Sequence, residues 1–225
     1  MPDTATHLVV AIDGTSGSGK SSTARGVAAR LGLRYLDTGA MFRAMTWWML
    51  RHGVDVRDAE AVAARCEEPE ILSGTDPEGP GIMVDGVDVR MAIRSEEVNA
   101  TVSHVSVVSA VRARLLELQR EAIGDGGIVV EGRDIGSVVW PQAQVKVFLT
   151  ADAEARATRR AAETGSIDLT ATRESLLSRD RIDSGRATAP LAMAPDAIAL
   201  DTTGHTLDEV IDRVVALAEA AGERA

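Results

Sequence analysis

Eight consecutive residues, Gly14-Thr15-Ser16-Gly17-Ser18-Gly19-Lys20-Ser21, fit the pattern G-x-x-x-x-G-K-[ST] in full. Glycines at this spacing let a backbone fold tightly enough for successive N–H groups to point inward at phosphate oxygens. A helix beginning at Ser21 adds its positive N-terminal end. Lys20 is placed to reach the β- and γ-phosphates of a nucleoside triphosphate, and the Ser21 hydroxyl to help ligate Mg²⁺. The expected site for ATP with Mg²⁺ therefore runs through these eight residues and Ser22. A Gly/Ser linker can match by chance, but this one lies between an apolar strand and a helix, as phosphate binding requires.

A second set of residues is cationic. Of the 24 Lys and Arg, only Lys20 and Lys146 are lysine. Seven arginines, Arg156, Arg159, Arg160, Arg173, Arg179, Arg181 and Arg186, crowd into one stretch. The chain as a whole carries a formal charge of −10, which argues against a general nucleic-acid binder. A local Arg cluster in an acidic protein points to an anionic ligand held at one place. Arg156, Arg159 and Arg160 share a helical face by their i, i+3, i+4 spacing, either to meet a transferring phosphoryl group or as a solvated face paired with Glu154 and Glu163.

The elements that must position these groups read as α/β. Leu8 to Ile12 is a short apolar run of the kind that forms a buried parallel strand, and it leads into the loop. Ser21 to Leu31 is helical and stops at Gly32; Arg34-Tyr35-Leu36 is a second strand, followed by a helix over about 40–51. From Val54 to about Asn99, Pro and Gly mark loops around a hairpin at 82–89 that turns on Asp85-Gly86. A helix is expected over about 103–123, then strands at 128–131, 145–149 and 197–201, and a closing helix at 207–221. Asp201-Thr202-Thr203-Gly204 reads as a turn after the last strand. Strands alternating with helices mean a parallel sheet covered on both faces.

Two further features narrow the setting. A single cysteine, Cys66, excludes an intrachain disulfide, and no apolar run approaches the length of a membrane span. No signal segment is legible at the start, so the expected setting is the cytoplasm, without membrane or nucleic-acid partners.

A guanine-reading Asn-Lys-x-Asp segment is absent, and so is the strand ending in an acidic pair expected of motor ATPases. A small-molecule kinase is what remains. Such an enzyme must bind an acceptor phosphate beside the γ-phosphate and exclude water with a mobile lid. The Arg-rich stretch after the 145–149 strand is placed where that lid would be.

Three segments carry a resemblance. Asp37-Thr38-Gly39-Ala40-Met41-Phe42-Arg43 resembles the D-[ST]-G-A-x-Y-R segment of bacterial cytidylate kinases, which phosphorylate CMP and dCMP. Glu131-Gly132-Arg133-Asp134-Ile135-Gly136 resembles their [DE]-G-R-D-x-G segment, and Arg179-Asp180-Arg181-Ile182-Asp183-Ser184-Gly185-Arg186 with Ala189-Pro190-Leu191 is similar to their R-D-x-x-D-x-x-R…A-P-L stretch. The resemblance implies a single P-loop kinase domain over 1–225, a three-layer sandwich with five parallel strands in the order 2-3-1-4-5. It also implies an acceptor-binding insertion with a small hairpin at about 40–100, and an Arg-rich lid at about 152–186.

Residue roles follow from the same resemblance. Asp134, Arg112 and Ser103 would read the cytosine; a carboxylate suits its exocyclic amine and would repel the oxygen uracil carries there. Arg43, Arg133 and Arg186 would hold the acceptor phosphate, and Asp183 and Arg179 the sugar. Lys20, Arg133, Arg156 and Arg160 would act on the moving phosphoryl group. Thr38 either binds ligand or caps its helix. Phe42 stands where the family usually shows Tyr, so it keeps the ring and loses the hydroxyl. Monomer is the default expectation. Kinases of UMP, AMP or shikimate, and a nucleotide-dependent switch protein, are the alternatives.

Overall fold

The computed structural model describes residues 7–186 and 188–222. Strand β1 (Val9–Gly14) is buried along its whole length and feeds the phosphate loop, after which α1 (Lys20–Leu31) begins. The chain returns through β2 (Arg34–Asp37) into α2 (Thr38–Arg51), whose start is capped by the Asp37 carboxylate accepting the Ala40 N–H at 2.9 Å. An insertion follows, made of α3 (Ala59–Arg65), β3 (Ile71–Ser73), β4 (Ile82–Val84) and β5 (Val87–Asp88). Next come α4 (Glu96–Ser106), α5 (Ser109–Ile123), β6 (Ile128–Glu131) and β7 (Val145–Thr150). Helices α6 (Ala153–Thr164) and α7 (Leu169–Ser184) occupy the stretch expected to be a lid, and β8 (Ile198–Asp201) and α8 (Leu207–Gly222) close the fold.

The main sheet is parallel throughout, in the order β2-β6-β1-β7-β8. Its labels differ from the expected 2-3-1-4-5 because three insertion strands enter the numbering; counted among themselves, the five strands follow that connectivity. Alternate residues of the strands point to opposite faces. Val9 and Ala11 join one core with α2, α5 and the insertion, whereas Val10 and Ile12 join another with α1 and α8. The result is three layers, with the loops at the C-terminal ends of the strands gathered on one edge, where open α/β sheets bind ligands.

Two expectations need correction. The helix expected over 103–123 is two helices, α4 and α5, broken at Val107-Val108. Val105, Val108 and Val111 all reach the same core, so the apolar periodicity runs unbroken through the turn and hides it. The insertion carries a three-stranded antiparallel sheet rather than a hairpin alone, because Ile71–Ser73 pairs with β4. Three residues are too short to show a period. The hairpin turn itself sits at Asp85-Gly86, with φ of 50° and 77°. Asp85 also accepts hydrogen bonds from Trp48 Nε1 at 2.7 Å and Glu70 N at 2.8 Å, fixing the insertion to α2.

Candidate active site

The phosphate loop is forced into shape at its first residue. A Cβ on Gly14 would lie 2.0 Å from the Leu149 carbonyl oxygen of β7, so no other residue fits beside that strand. Gly19, at φ 91°, turns the chain into α1. Lys20 donates from Nζ to the Thr15 carbonyl at 2.7 Å, and Ser21 Oγ donates to Glu131 Oε2 at 2.9 Å. Both backbone groups of Ser16 are taken by α7 and α6: its N–H donates to Asp180 Oδ1 at 2.9 Å, and its carbonyl accepts from Arg156 Nη1 at 3.0 Å.

Beside the loop stands the C-terminal end of β6. Glu131 is buried and accepts from Ser21 and from the Tyr35 hydroxyl, while its carbonyl accepts from Thr38 Oγ1 at 2.7 Å. Burial, reinforced by Asp37, pushes the Glu131 carboxyl up; burial, reinforced by Arg133, pulls the Lys20 ammonium down. Arg133 donates to the Gly14 carbonyl at 2.6 Å and pairs with Asp183 at 3.1 Å. Asp134 pairs with Arg112, both buried, and burial raises its carboxyl above the usual range. The turn behind Asp134 is held from β1: Asp13 accepts the N–H groups of Ile135 and Gly136, each at 2.8 Å. Burial pushes Asp13 up to about 6.

A cleft with a cavity volume of about 190 Å³ opens between the loop, the side of α2 and α4, and the helices α6 and α7. Its acceptor half is strongly cationic. Arg43 is pulled down to about 9, first by burial and then by Arg179 and Arg160; Arg179 is pulled down to about 10, by burial and then Arg133. Asn99 gathers two of these groups, accepting from Arg43 and, at 3.5 Å, from Arg160. Guanidinium groups crowded in this way favour a bound anion, which relieves their mutual repulsion.

One cleft brings together Ser16, Gly17, Gly19, Lys20, Ser21 and Ser22 with Thr38, Phe42, Arg43, Ser103, Arg112, Arg133, Asp134, Arg160, Arg179, Asp183 and Arg186. Thr38 is not the helix cap, a role Asp37 takes. The ring of Phe42 lies under the Arg112 guanidinium, 5.3 Å from ring centroid to Cζ. Asp183 pairs with Arg133 and Arg186.

The three arginines share α6 at the expected spacing, but their guanidinium groups part. Arg156 is buried against the loop, Arg159 turns to Thr202, and Arg160 reaches toward the cleft and pairs with Glu163 at 3.1 Å. Long side chains on neighbouring helical positions diverge once each finds its own partner. Arg159 donates to Thr202 Oγ1 at 2.8 Å and to its carbonyl at 2.6 Å. Together with His205, Thr206, Leu207 and Val210, this pair lines a second pocket, of about 220 Å³, on the far side of Gly17 and Gly19. The segment read as a turn is one, and it also lines this pocket. Sequence reasoning also passed over Glu131, Asp13, Asp180 and Asn99 as functional. The available signal was for Glu131 and Asp13, each an acid ending an apolar strand.

The sequence pattern of the cytidylate kinase family matches residues 10–220. Cytidylate kinases of Streptomyces coelicolor and Streptomyces avermitilis are 59% and 56% identical, over 96% and 94% of this chain and 94% and 93% of their own. That of Nocardia farcinica is 50% identical over 94% of each chain. Among solved structures, a gluconokinase from Sinorhizobium meliloti superposes with a TM-score of 0.51 at 14% identity, covering 97% of this chain and 95% of that one. That likeness is one of fold alone.

Proposed function

The chain belongs to the cytidylate kinase family, and from that membership we propose that it transfers the γ-phosphoryl group of ATP to CMP and dCMP, releasing ADP with CDP or dCDP. The buried Asp134–Arg112 pair, opening into the same cleft as the phosphate loop, is the observation that carries the acceptor reading. A carboxylate beside a guanidinium matches the amine donor and the N3 and O2 acceptors of cytosine, and Ser103 lies within the same wall. Uracil offers an oxygen where cytosine has its amine, and Asp134 repels it.

Arg43, Arg133 and Arg186 hold the acceptor phosphate, and Arg179 and Asp183 the sugar. The donor triphosphate lies along the loop from Gly14 to Ser22, with its nucleoside in the pocket at Arg159, Thr202 and His205. An oxygen of the acceptor phosphate attacks the γ-phosphorus in line, and the bond to the β-phosphate oxygen breaks. That oxygen is already ionised, so no general base is needed. Lys20, Arg133 and Arg160 offset the charge on the moving group, and Arg156 acts by shaping the loop through Ser16.

Magnesium fits this site on the chemistry of its donors. The Ser21 hydroxyl, Glu131 and Asp37 are hard oxygen groups lining one cleft. Among the described residues no cluster of three or more His, Cys, Asp or Glu is arranged to hold a metal by itself. Bound there, Mg²⁺ neutralises charge on the β- and γ-oxygens.

Donor loop, acceptor cleft and lid all come from one chain, so a monomer with a single domain suffices. The substrates place the activity in the cytoplasmic nucleotide pool. Among the described residues no helix is long and apolar enough to cross a membrane. The test is ADP formation with CMP, dCMP, UMP, AMP or no acceptor. Strong turnover with CMP and dCMP, weak with UMP, is expected. Equal ADP release with and without acceptor would overturn the reading.

A further inference from the structure

Asp180 does not line the cleft, yet it joins three parts of the machinery around it. Oδ1 accepts the Ser16 N–H at 2.9 Å, and Oδ2 pairs with Arg156, which donates in turn to the Ser16 carbonyl at 3.0 Å. These contacts close a ring of Ser16 backbone, Asp180 and Arg156. Arg133, which donates to the Gly14 carbonyl, stands 3.8 Å from the same carboxylate. Packing repeats the connection without charge. A Cβ on Gly17 would lie 3.1 Å from the Arg156 carbonyl oxygen and 3.4 Å from Leu176 Cδ1. Leu176, Asp180 and Asp183 follow at i, i+4 and i+7, so one stripe of α7 faces the loop.

We propose that Asp180 is a positioning residue that straps the lid to the phosphate loop, so that the loop takes its working shape only when α7 is seated. The proposal rests on the phosphotransferase reading above. The physical argument is one of shared partners. Swinging the lid away strips both backbone groups of Ser16 of their partners at once, because Asp180 of α7 and Arg156 of α6 are paired with each other and leave together. Loop order and lid closure therefore form one cooperative event, and water is excluded when the donor phosphates are gripped.

The experiment compares the full-length protein with Asp180→Asn and Asp180→Ala. It reads turnover, KM for CMP and for ATP, ATP loss to water without acceptor, and hydrogen exchange of α6 and α7. Expected is a fall in kcat of about 10-fold for Asn and about 100-fold for Ala, with KM for CMP changed less than about threefold. The share of ATP lost to water should rise about 10-fold or more, and exchange in α6–α7 should quicken while β1 and β6 stay protected. Wild-type exchange in the lid of Asp180→Asn would overturn the strap, whatever the kinetics; so would unchanged turnover. Should Asp180→Ala not fold, the isosteric Asn variant decides alone. A wild-type protein that does not phosphorylate CMP would sink the functional reading instead, and the exchange comparison would still test the strap.

Discussion

One side of the cleft presents the backbone of a short Gly-rich loop, and the other presents guanidinium groups from α2, the end of β6, α6 and α7; under the proposed function these are the donor and acceptor sides. The donor loop is specified by steric necessity. Gly14 must pass within 2.0 Å of a β7 carbonyl as measured from a Cβ it does not have, and its one ammonium group, Lys20, is tied to Thr15. The acceptor side is specified by charge: burial, and then the neighbouring guanidinium groups, pull Arg43 down, and Asp134, Asp183 and Asn99 fix the arginines of this wall in defined places. Under the proposed function the backbone half is indifferent to the base, and the side-chain half carries the choice of substrate.

That contrast can be broken most sharply at Lys20. Lys20→Ala should lower kcat by about 1,000-fold while CMP still binds, because the lost cation acts on the moving phosphoryl group. Steady-state kinetics with thermal shifts by CMP alone check it, and a variant that loses CMP binding equally would erase the division between the halves. Asp134→Ala comes next: KM for CMP should rise about 100-fold with KM for ATP nearly constant, since a buried Arg112 is left without its partner. Equal effects on both substrates would mean that the base is read elsewhere.

Asp13 tests the joint between the halves, because it anchors the turn bearing Asp134 from the strand bearing the loop. Its folded pKa, raised to about 6 from 3.8, means the native state binds the proton more readily than the unfolded chain. The ionised form therefore costs stability at neutral pH, and that cost fades as pH falls through 6. Relative to Asp13→Asn, the wild type should gain stability between pH 7 and pH 5 in urea titrations. The smallest expected effect lies at Phe42. Phe42→Leu removes the ring beneath Arg112 and should raise KM for CMP about two- to fivefold, leaving ATP untouched.

The donor half was legible because its chemistry is contiguous: glycine, lysine and serine stand at fixed spacing, and the strand and helix around them are written in local periodicity. The short resemblance segments likewise set Arg133, Asp134, Arg179 and Asp183 apart, and all of them line the cleft. Hidden from the sequence were contacts between distant residues. Ser21 and Glu131 are 110 positions apart, and Ser16 and Asp180 are 164 apart.

By itself, then, the sequence determined the phosphate loop, the five strands of the main sheet and the candidate arginines, because steric limits and hydrophobic period act over a few residues. The tertiary structure decided which arginine does what. Spacing puts Arg156, Arg159 and Arg160 on one helix face, but α6 is flanked by the loop, the turn after β8 and the cleft, and each guanidinium went to a different one. The sheet order placed β6 beside β1 and so brought Glu131 to Ser21. The packing of α7 on the loop brought Asp180 to Ser16, a meeting that no local pattern encodes.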